Sequence, residues 1–140
     1  MAEEMTVNAR LEQGMCFQIQ TGSGHRVTLE SSASGQSAGP APMEMLLASL
    51  AGCMGMSTLS ILQKKRQPVS AYEVRVHGKR AEAYPKEFVE IRVEHIVRGN
   101  GLSRQALEQA ITLAEEHYCP VSAMLSKAAT ISNSHQIIEE

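Results

Sequence analysis

The sequence predicts an α+β fold, in which strands and helices occupy separate stretches of the chain. Near the N-terminus apolar residues such as Phe17 and Ile19 alternate with polar ones, and a period of two is typical of strands. A long, nearly uncharged segment over 43–67 is predicted as one helix, and further alternating segments follow it. Strands and helices that are segregated in this way favour α+β architecture with antiparallel sheets.

The N-terminal third is predicted as an antiparallel meander of short strands. The apolar residues that mark these strands are Val7, Ala9 and Leu11, then Phe17 and Ile19, then Val27 and Leu29. Glycines at Gly14 and within 22–24 interrupt the alternation, where turns are expected. Cys16 has the phase opposite to Phe17, so it is predicted on the polar face. A loop over 31–42 ends this part of the chain.

The segment 43–67 is predicted as a helix that is apolar on nearly all sides. Such a helix is buried over most of its surface, at the centre of a domain or of a dimer. Pro68 is expected to end it, and the basic run 64–66 suits the C-terminal end of the helix dipole. Because a small monomer cannot easily cover every face of this helix, we expect an oligomer.

Two longer strands, a helical region and a last strand complete the predicted fold. The apolar residues of the two strands are Val74 and Val76, then Val89, Ile91 and Val93. Ser103 is predicted to cap a helix that extends to His117, and Pro120 to begin another. The chain ends in a predicted strand over 129–138. We expect a single domain over residues 1–140.

Charge and composition argue against several functional classes. The chain has 13 basic and 15 acidic residues and lacks the clustered Lys and Arg of a nucleic-acid-binding surface. Glu3 and Glu4 stand where a signal peptide carries basic residues, and hydroxyl side chains within 43–67 favour a core helix over a membrane span. We therefore expect a cytoplasmic protein without nucleic-acid or membrane partners, whose cysteines are thiols.

Cys53 and Cys119 lie in apolar surroundings that suit a redox pair. Cys53 is predicted in the middle of the long helix, and Cys119 directly precedes Pro120, at the N-cap of a helix. Free backbone N–H groups at a helix N-terminus favour an anion, so this position favours a thiolate at Cys119. The alternative for both residues is a structural role, since free cysteine is often a small buried apolar residue.

The histidines do not predict a metal site. His117 precedes Cys119 by two residues, but no second close pair of ligands accompanies them. His95 falls on the apolar phase of its strand, which favours a hydrogen-bonded core histidine. The eight methionines indicate an adaptable apolar lining, either of the core or of a pocket for an apolar ligand.

Two motifs around the cysteines carry a family resemblance. The first is GPAPMEMLLA over 39–48 followed by AGC over 51–53, and the second is YCPVS over 118–122. In this order they resemble the OsmC/Ohr family of thiol-dependent hydroperoxide reductases. The segments 22–25 and 59–67 are similar to its YhfA-like branch. The resemblance covers about residues 7–137.

The resemblance implies an OsmC-like fold and a peroxidase mechanism. It implies an intertwined homodimer, with curved antiparallel sheets packed on a long central helix. By the same resemblance Cys53 is the peroxidatic thiol, which becomes a sulfenic acid, and Cys119 is the resolving thiol, which condenses with it to a disulfide. An external dithiol then reduces the disulfide, without any bound cofactor. Apolar walls would favour organic hydroperoxides over hydrogen peroxide.

The chain departs from the hydroperoxide reductases of that family at two positions. They carry a glutamate ten residues before the first cysteine, where this chain has Met43, with Glu44 one residue later as the candidate orienting carboxylate. Their arginine in the first strand–strand turn has no counterpart in 12–15, and Arg10 and Arg26 are the nearby substitutes. The missing arginine favours the alternative function, an OsmC-fold small-molecule-binding or redox-sensing protein with little or no turnover.

Overall fold

The computed structural model describes residues 2–31 and 37–140. Most of the predicted loop over 31–42 lies outside these residues. The chain divides into two compact units, residues 1–46 and residues 47–140. Helix α1 (Pro42–Lys64) runs through the boundary between the units without interruption. Because a continuous helix joins them, we keep the single domain over residues 1–140 as a proposal.

The first unit is a three-stranded antiparallel sheet in the order β1–β2–β3. Its strands are β1 (Val7–Gln13), β2 (Cys16–Thr21) and β3 (Arg26–Glu30). Gly14 has a φ of +55° in the tight turn between β1 and β2, a conformation that glycine adopts without a steric penalty. The predicted meander is therefore confirmed.

Cys16 is buried, which corrects the prediction that it lies on the polar face. Its side chain is 5 % exposed, whereas Phe17 on the opposite face is 37 % exposed. Cys16 begins the central strand and pairs with Gln13 on one side and Glu30 on the other. The alternation places Cys16 and Phe17 on opposite faces as predicted, but it does not predict that Cys16 is buried.

Helix α1 begins at Pro42, one residue before the predicted start. Proline suits the first helical position because its missing N–H would have no helical partner there. The Glu44 carboxylate accepts a hydrogen bond from the Ala41 N–H at 3.0 Å. This is the glutamate half of a capping box, in which the third helical residue satisfies an unpaired N–H at the helix start. Glu44 therefore stabilises the beginning of the cysteine-bearing helix.

Helix α1 ends at Lys64, before the predicted stop at Pro68. Arg66 has a φ of +55°, the left-handed conformation, and the Gln67 N–H donates to the Leu62 carbonyl. This is a Schellman motif, which ends a helix by satisfying its last carbonyl groups. The motif completes the helix end before Pro68 is reached, so the prediction that the proline ends the helix is wrong.

Helix α1 buries one stripe of its surface in the isolated chain. The buried residues recur every four positions and are Leu50, Met54, Thr58 and Leu62. By length and composition alone the helix is apolar enough to cross a membrane, with a mean hydropathy of 1.7 over 18 residues, of which 22 % are buried. Other apolar side chains are exposed, such as Met56 at 75 %. Much of the apolar surface of α1 is therefore available for a further contact.

The second unit contains a three-stranded sheet in the order β4–β5–β6. Its strands are β4 (Val69–Arg80), β5 (Phe88–Gly99) and β6 (Thr130–Glu139). β4 and β5 are antiparallel, whereas β6 is parallel to β5. The parallel pair differs from the expected antiparallel sheets, because the helical region between β5 and β6 carries the chain back to the starting edge. The α+β class itself is confirmed.

Helix α1 packs against strand β4 within this second unit. A methyl group placed on Gly55 would lie 3.4 Å from a Val74 side-chain atom. A methyl group on Gly78 would lie 2.6 Å from the Phe88 ring and 3.1 Å from Leu47 of α1. Glycine at Gly78 therefore leaves the space that the helix and the aromatic ring need on this face of the sheet. The contact fixes the helix that carries Cys53 on the sheet.

The helical region between β5 and β6 has three parts. These are α2 (Arg104–Leu113), a π turn (Ala114–Tyr118) and α3 (Pro120–Leu125). Ser103 caps α2 by accepting the Ala106 N–H at 3.1 Å, as predicted. Cys119 is the N-cap of α3, also as predicted. The π turn, in which the Cys119 N–H donates to the Ala114 carbonyl at 2.8 Å, was not predicted.

Candidate redox site

Cys53 and Cys119 meet within the second unit. Cys53 comes from the middle of α1, and Cys119 from the N-cap of α3. Their side chains are close enough to interact, since Cys53 raises the pKa of Cys119, and both residues are free thiols. The structure thus brings together the two cysteines that the sequence singles out, although they are 66 positions apart in the chain (119 − 53).

The Cys119 thiol keeps its proton at neutral pH. Burial raises the pKa of Cys119 to about 11, and the neighbouring Cys53 thiol also raises it. The Ser122 N–H donates to Cys119 Sγ at 3.3 Å and lowers this pKa, but the effect of burial is larger. The expected thiolate at Cys119 is therefore wrong, because desolvation outweighs the helix N-terminus.

Cys53 lies at one end of a helix face that borders a cavity. Cys53, Ser57, Ser60 and Lys64 follow one another at steps of four, three and four residues, which places them on one face of α1. A cavity of about 470 Å³ lies beside this face, and its walls are Met56, Ser57, Ser60, Ile61, Lys64, Leu113 and Tyr118. Tyr118 directly precedes Cys119. The cavity therefore borders both cysteine-bearing segments.

Glu44, Arg10 and Arg26 belong to the first unit. The Glu44 carboxylate caps α1. The two arginines line one cavity of about 190 Å³ on the sheet β1–β2–β3, together with Asn8, Gln18, Ile19 and Gln20. Cys53 belongs to the second unit. The role of Glu44 as an orienting carboxylate for Cys53 stays a prediction.

Cys16 has surroundings that disfavour its thiolate. It borders a cavity of the first unit together with Glu12, Gln13, Gly14, Glu30 and Ala38. Burial raises the pKa of Cys16, and the carboxylates of Glu30 and Glu12 raise it further. A thiol between two carboxylates is a poor nucleophile at neutral pH. Of the three cysteines, Cys16 is thus the one whose neighbours oppose a redox role.

Over 2–31 and 37–140, no group of three or more His, Cys, Asp or Glu side chains is arranged to hold a metal ion. His117, which precedes Cys119 by two residues, is exposed and lies edge-on to the Tyr118 ring at 6.3 Å.

Sequence comparison identifies the family of this chain. Residues 34–134 match the family model of OsmC-like proteins. This chain belongs to the OsmC family. Protein YhfA of Escherichia coli K12 is 37 % identical to it over 134 residues, which cover 96 % of this chain and 98 % of that protein. The predicted resemblance to the YhfA-like branch of the family is confirmed.

Solved structures confirm the OsmC fold. A hypothetical protein from Aquifex aeolicus VF5 has a TM-score of 0.89 at 32 % identity, with 99 % of each chain covered. The organic hydroperoxide resistance protein OhrB of Bacillus subtilis has a TM-score of 0.64 at 21 % identity, with 96 % of this chain and 98 % of that chain covered. At the lower identity the second comparison shows a shared fold and nothing more.

A part-buried polar network crosses the sheet of the second unit of this OsmC-family protein. Tyr72 Oη lies 2.6 Å from His95 Nδ1, and His95 Nε2 lies 2.9 Å from Asn133 Oδ1. Asn133 Nδ2 donates to Glu115 Oε2 at 2.6 Å. The prediction that His95 is a hydrogen-bonded core residue is confirmed. Its partners were not predicted, although a polar Asn133 on the inward phase of β6 was a signal for one of them.

Proposed function

We propose that this OsmC-family protein is a thiol peroxidase that reduces organic hydroperoxides. The observation that carries the proposal is the proximity of the Cys53 and Cys119 side chains, which interact closely enough for Cys53 to raise the pKa of Cys119. A disulfide requires Cα atoms within roughly 7 Å, and thiols that already interact need little movement to form one. Two cysteines with purely structural roles need not lie in contact, whereas the two cysteines of a redox pair must come close enough to form a disulfide.

The protonation of Cys119 supports an assignment of roles. Because the pKa of Cys119 is raised to about 11, it carries a proton at neutral pH and can donate it to the Cys53 sulfur. Cys53 is half-buried and lies on the helix face that borders the cavity. We therefore assign Cys53 as the peroxidatic thiol and Cys119 as the resolving thiol.

The proposed reaction has two steps at sulfur and one reduction. The Cys53 thiolate attacks the terminal oxygen of the hydroperoxide, the O–O bond breaks, and the alcohol leaves after taking up a proton, so that Cys53 becomes a sulfenic acid. The Cys119 sulfur then attacks the Cys53 sulfur, and the sulfenic hydroxyl leaves as water with the proton of Cys119. An external dithiol reduces the disulfide by exchange, so no bound cofactor takes part.

The cavity beside α1 supports an organic substrate. Its walls include the apolar side chains of Met56, Ile61 and Leu113, and the Tyr118 ring. An apolar substituent of a hydroperoxide gains free energy by leaving water for such walls, at roughly 25 cal/mol per Å² of buried apolar surface. Hydrogen peroxide has no such substituent, so the cavity favours organic hydroperoxides over it.

We further propose that the protein works as a cytoplasmic homodimer in the response to oxidative stress. The exposed apolar surface of α1 supports the dimer, because exposed apolar patches commonly mark subunit interfaces. The name of the B. subtilis structure, an organic hydroperoxide resistance protein, supports the physiological setting. Glu44 is kept as the candidate orienting carboxylate, although it stands one residue after the position of the family's glutamate.

The test is consumption of cumene hydroperoxide by the reduced protein, with dihydrolipoamide or dithiothreitol as the reductant. We expect turnover in the wild type and none in Cys53→Ser. Cys119→Ser should form one sulfenic acid per chain and then stop, because its resolving thiol is missing. Cys16→Ser is the matched control and should keep full turnover. Unchanged peroxide consumption in Cys53→Ser would contradict the proposal.

The second candidate function is a small-molecule-binding or redox-sensing protein with little turnover. The observation that favours it is the absence of an arginine from 12–15, where the peroxidases of the family are expected to carry one. Such a protein would bind an apolar ligand to saturation, or form the Cys53–Cys119 disulfide once, without consuming peroxide catalytically. The same assay separates the two functions, since only the enzyme uses several equivalents of hydroperoxide per chain.

A further inference from the structure

The part-buried network Tyr72–His95–Asn133–Glu115 links the sheet of the second unit to the segment that carries Cys119. Tyr72 lies on β4, His95 on β5 and Asn133 on β6, so the network crosses the whole sheet of the second unit. Helix α1, which carries Cys53, is not part of the network, since the Oγ1 atom of its buried Thr58 has no hydrogen-bond partner among the described residues. The end of the network opposite Tyr72 is Glu115 in the π turn, which leads directly into Cys119.

The donors and acceptors of this network have a single consistent arrangement. The Glu115 carboxylate accepts the hydrogen bond from Asn133 Nδ2, so the Asn133 Oδ1 atom is free to accept from His95 Nε2. His95 is fully buried, and burial lowers its pKa, so the imidazole is neutral. Its Nδ1 atom then accepts the Tyr72 O–H. Each side chain in the network is held in its orientation by a hydrogen bond to its neighbour in the network.

The π turn makes the position of Cys119 depend on Glu115. A π-helical turn is rare and is often found at functional sites, because it needs outside contacts to compete with the α-helix. Here the Cys119 N–H bonds to the Ala114 carbonyl, five residues back, instead of the α-helical four. If the turn relaxed to an α-helix, Cys119 would rotate by about 100° around the helix axis. It would then no longer point at Cys53.

We propose that Glu115 and Asn133 are positioning residues for the resolving cysteine. Their hydrogen bond holds the π turn to the buried sheet, and the π turn in turn holds the Cys119 thiol against Cys53. Neither residue takes part in bond making. This inference rests on the proposed function, because it assigns the two residues to the step in which Cys119 attacks the Cys53 sulfenic acid.

The experiment separates the two chemical steps in single-turnover reactions with one equivalent of cumene hydroperoxide. Sulfenic acid at Cys53 is measured by trapping with dimedone, and disulfide formation by mass spectrometry of quenched samples. In Glu115→Ala we expect the rate of sulfenic acid formation to stay within about twofold of the wild type. Disulfide formation should slow by about tenfold or more, as expected for the loss of a hydrogen bond to a charged acceptor.

Three further variants distinguish positioning from general destabilisation. Asn133→Ala removes the same hydrogen bond from the other side and should reproduce the slow disulfide step. Glu115→Gln keeps an acceptor for Asn133 Nδ2 and should restore the rate to within about threefold of the wild type. Glu116→Ala, at the exposed neighbouring position in the same π turn, is the matched control and should react like the wild type. Equal disulfide rates in Glu115→Ala and Glu116→Ala would overturn the inference.

A second measurement tests the positioning without peroxide. The equilibrium between the reduced pair and the Cys53–Cys119 disulfide in a glutathione buffer gives the effective concentration of one thiol at the other. We expect this value to fall by about tenfold in Glu115→Ala and to recover in Glu115→Gln. If the wild type forms no sulfenic acid, the peroxidase proposal fails. An effective concentration that is the same in all variants would overturn the positioning role by itself.

Discussion

At the scale of single residues, the proton on Cys119 determines the order of the proposed chemistry. With a pKa raised to about 11 by burial, Cys119 cannot compete with Cys53 for the peroxide at neutral pH. In the next step Cys119 must give up this proton to attack as a thiolate, and the sulfenic hydroxyl of Cys53 takes up a proton and leaves as water. Burial therefore makes Cys119 a slow nucleophile, which acts second.

The raised pKa of Cys119 predicts a pH dependence for disulfide formation. A thiolate is the nucleophile, and its fraction rises tenfold per pH unit while the pH is well below the pKa. We expect the condensation rate to rise by up to about tenfold per unit between about pH 6 and pH 9. Stopped-flow mixing of the reduced protein with one equivalent of hydroperoxide measures it. A condensation rate independent of pH would show that Cys119 attacks by another route.

The sequence could predict the positions of Cys53, Cys119 and His95, because each depends on local signals. A proline marks the N-cap at Cys119, and the alternation of β5 places His95 inside. The partners of His95 could not be predicted in the same way. Tyr72 is 23 positions away and Asn133 is 38 positions away, so only the strand pairing brings them to His95.

At the scale of secondary-structure elements, the two ends of α1 differ in how well the sequence predicts them. Pro42 and Glu44 at its start were visible in the sequence, as a helix-initiating proline and an acidic residue in the first turn. Its C-terminal end depends on Arg66, which adopts a conformation usually left to glycine. No residue type in the sequence predicts a helix end of this kind, and the nearby proline was the stronger indication of where the helix stops.

The left-handed backbone of Arg66 predicts a stabilising substitution. A residue with a Cβ atom loses roughly 1–2 kcal/mol in this conformation, whereas glycine loses about 0.5–1 kcal/mol through the entropy of the unfolded chain. We expect Arg66→Gly to raise the free energy of unfolding by about 0.5–1 kcal/mol. Urea unfolding followed by circular dichroism measures it. Arg66→Ala keeps the Cβ atom and serves as the control, which should show no gain.

At the scale of the whole molecule, the α+β class was predictable, and the direction of the last strand was not. The strands of the described residues alternate apolar and polar positions, and the long helix is a nearly uncharged segment. The pattern of β6 is the same for a parallel and an antiparallel partner. Its direction follows from where α2, the π turn and α3 return the chain, which no local pattern specifies.

The buried His95 predicts a loss of folding stability in mild acid. Burial lowers the pKa of His95 below its ordinary 6.5; the nearby His135 lowers it further, and the Asn133 hydrogen bond opposes this. The unfolded chain therefore binds a proton that the folded chain excludes. The contribution of this group to stability is complete above about pH 6.5 and is lost as the pH falls through the folded pKa. The slope is at most about 1.4 kcal/mol per pH unit.

Urea unfolding of the wild type and of His95→Gln at a series of pH values measures this contribution. The other ionisable groups, which include the pair His135–Glu108 with atoms 3.5 Å apart, are common to both proteins, so their contributions cancel in the difference. We expect the difference in unfolding free energy to shrink as the pH is lowered. The NMR signal of the His95 ring gives an independent check, since it should not report protonation near pH 6.5. A midpoint at the ordinary value would refute the prediction.

The π turn also affects the sequence alignment of chains of this family, because it changes the number of residues in one segment. A π turn contains one residue more than the α-helical turn that it replaces. A relative with one residue fewer between the counterparts of Ala110 and Cys119 would continue as an α-helix and present its cysteine in another direction. On the proposed function, the length of this short segment, as well as the presence of a second cysteine, is therefore expected to distinguish relatives whose second cysteine is directed as Cys119 is.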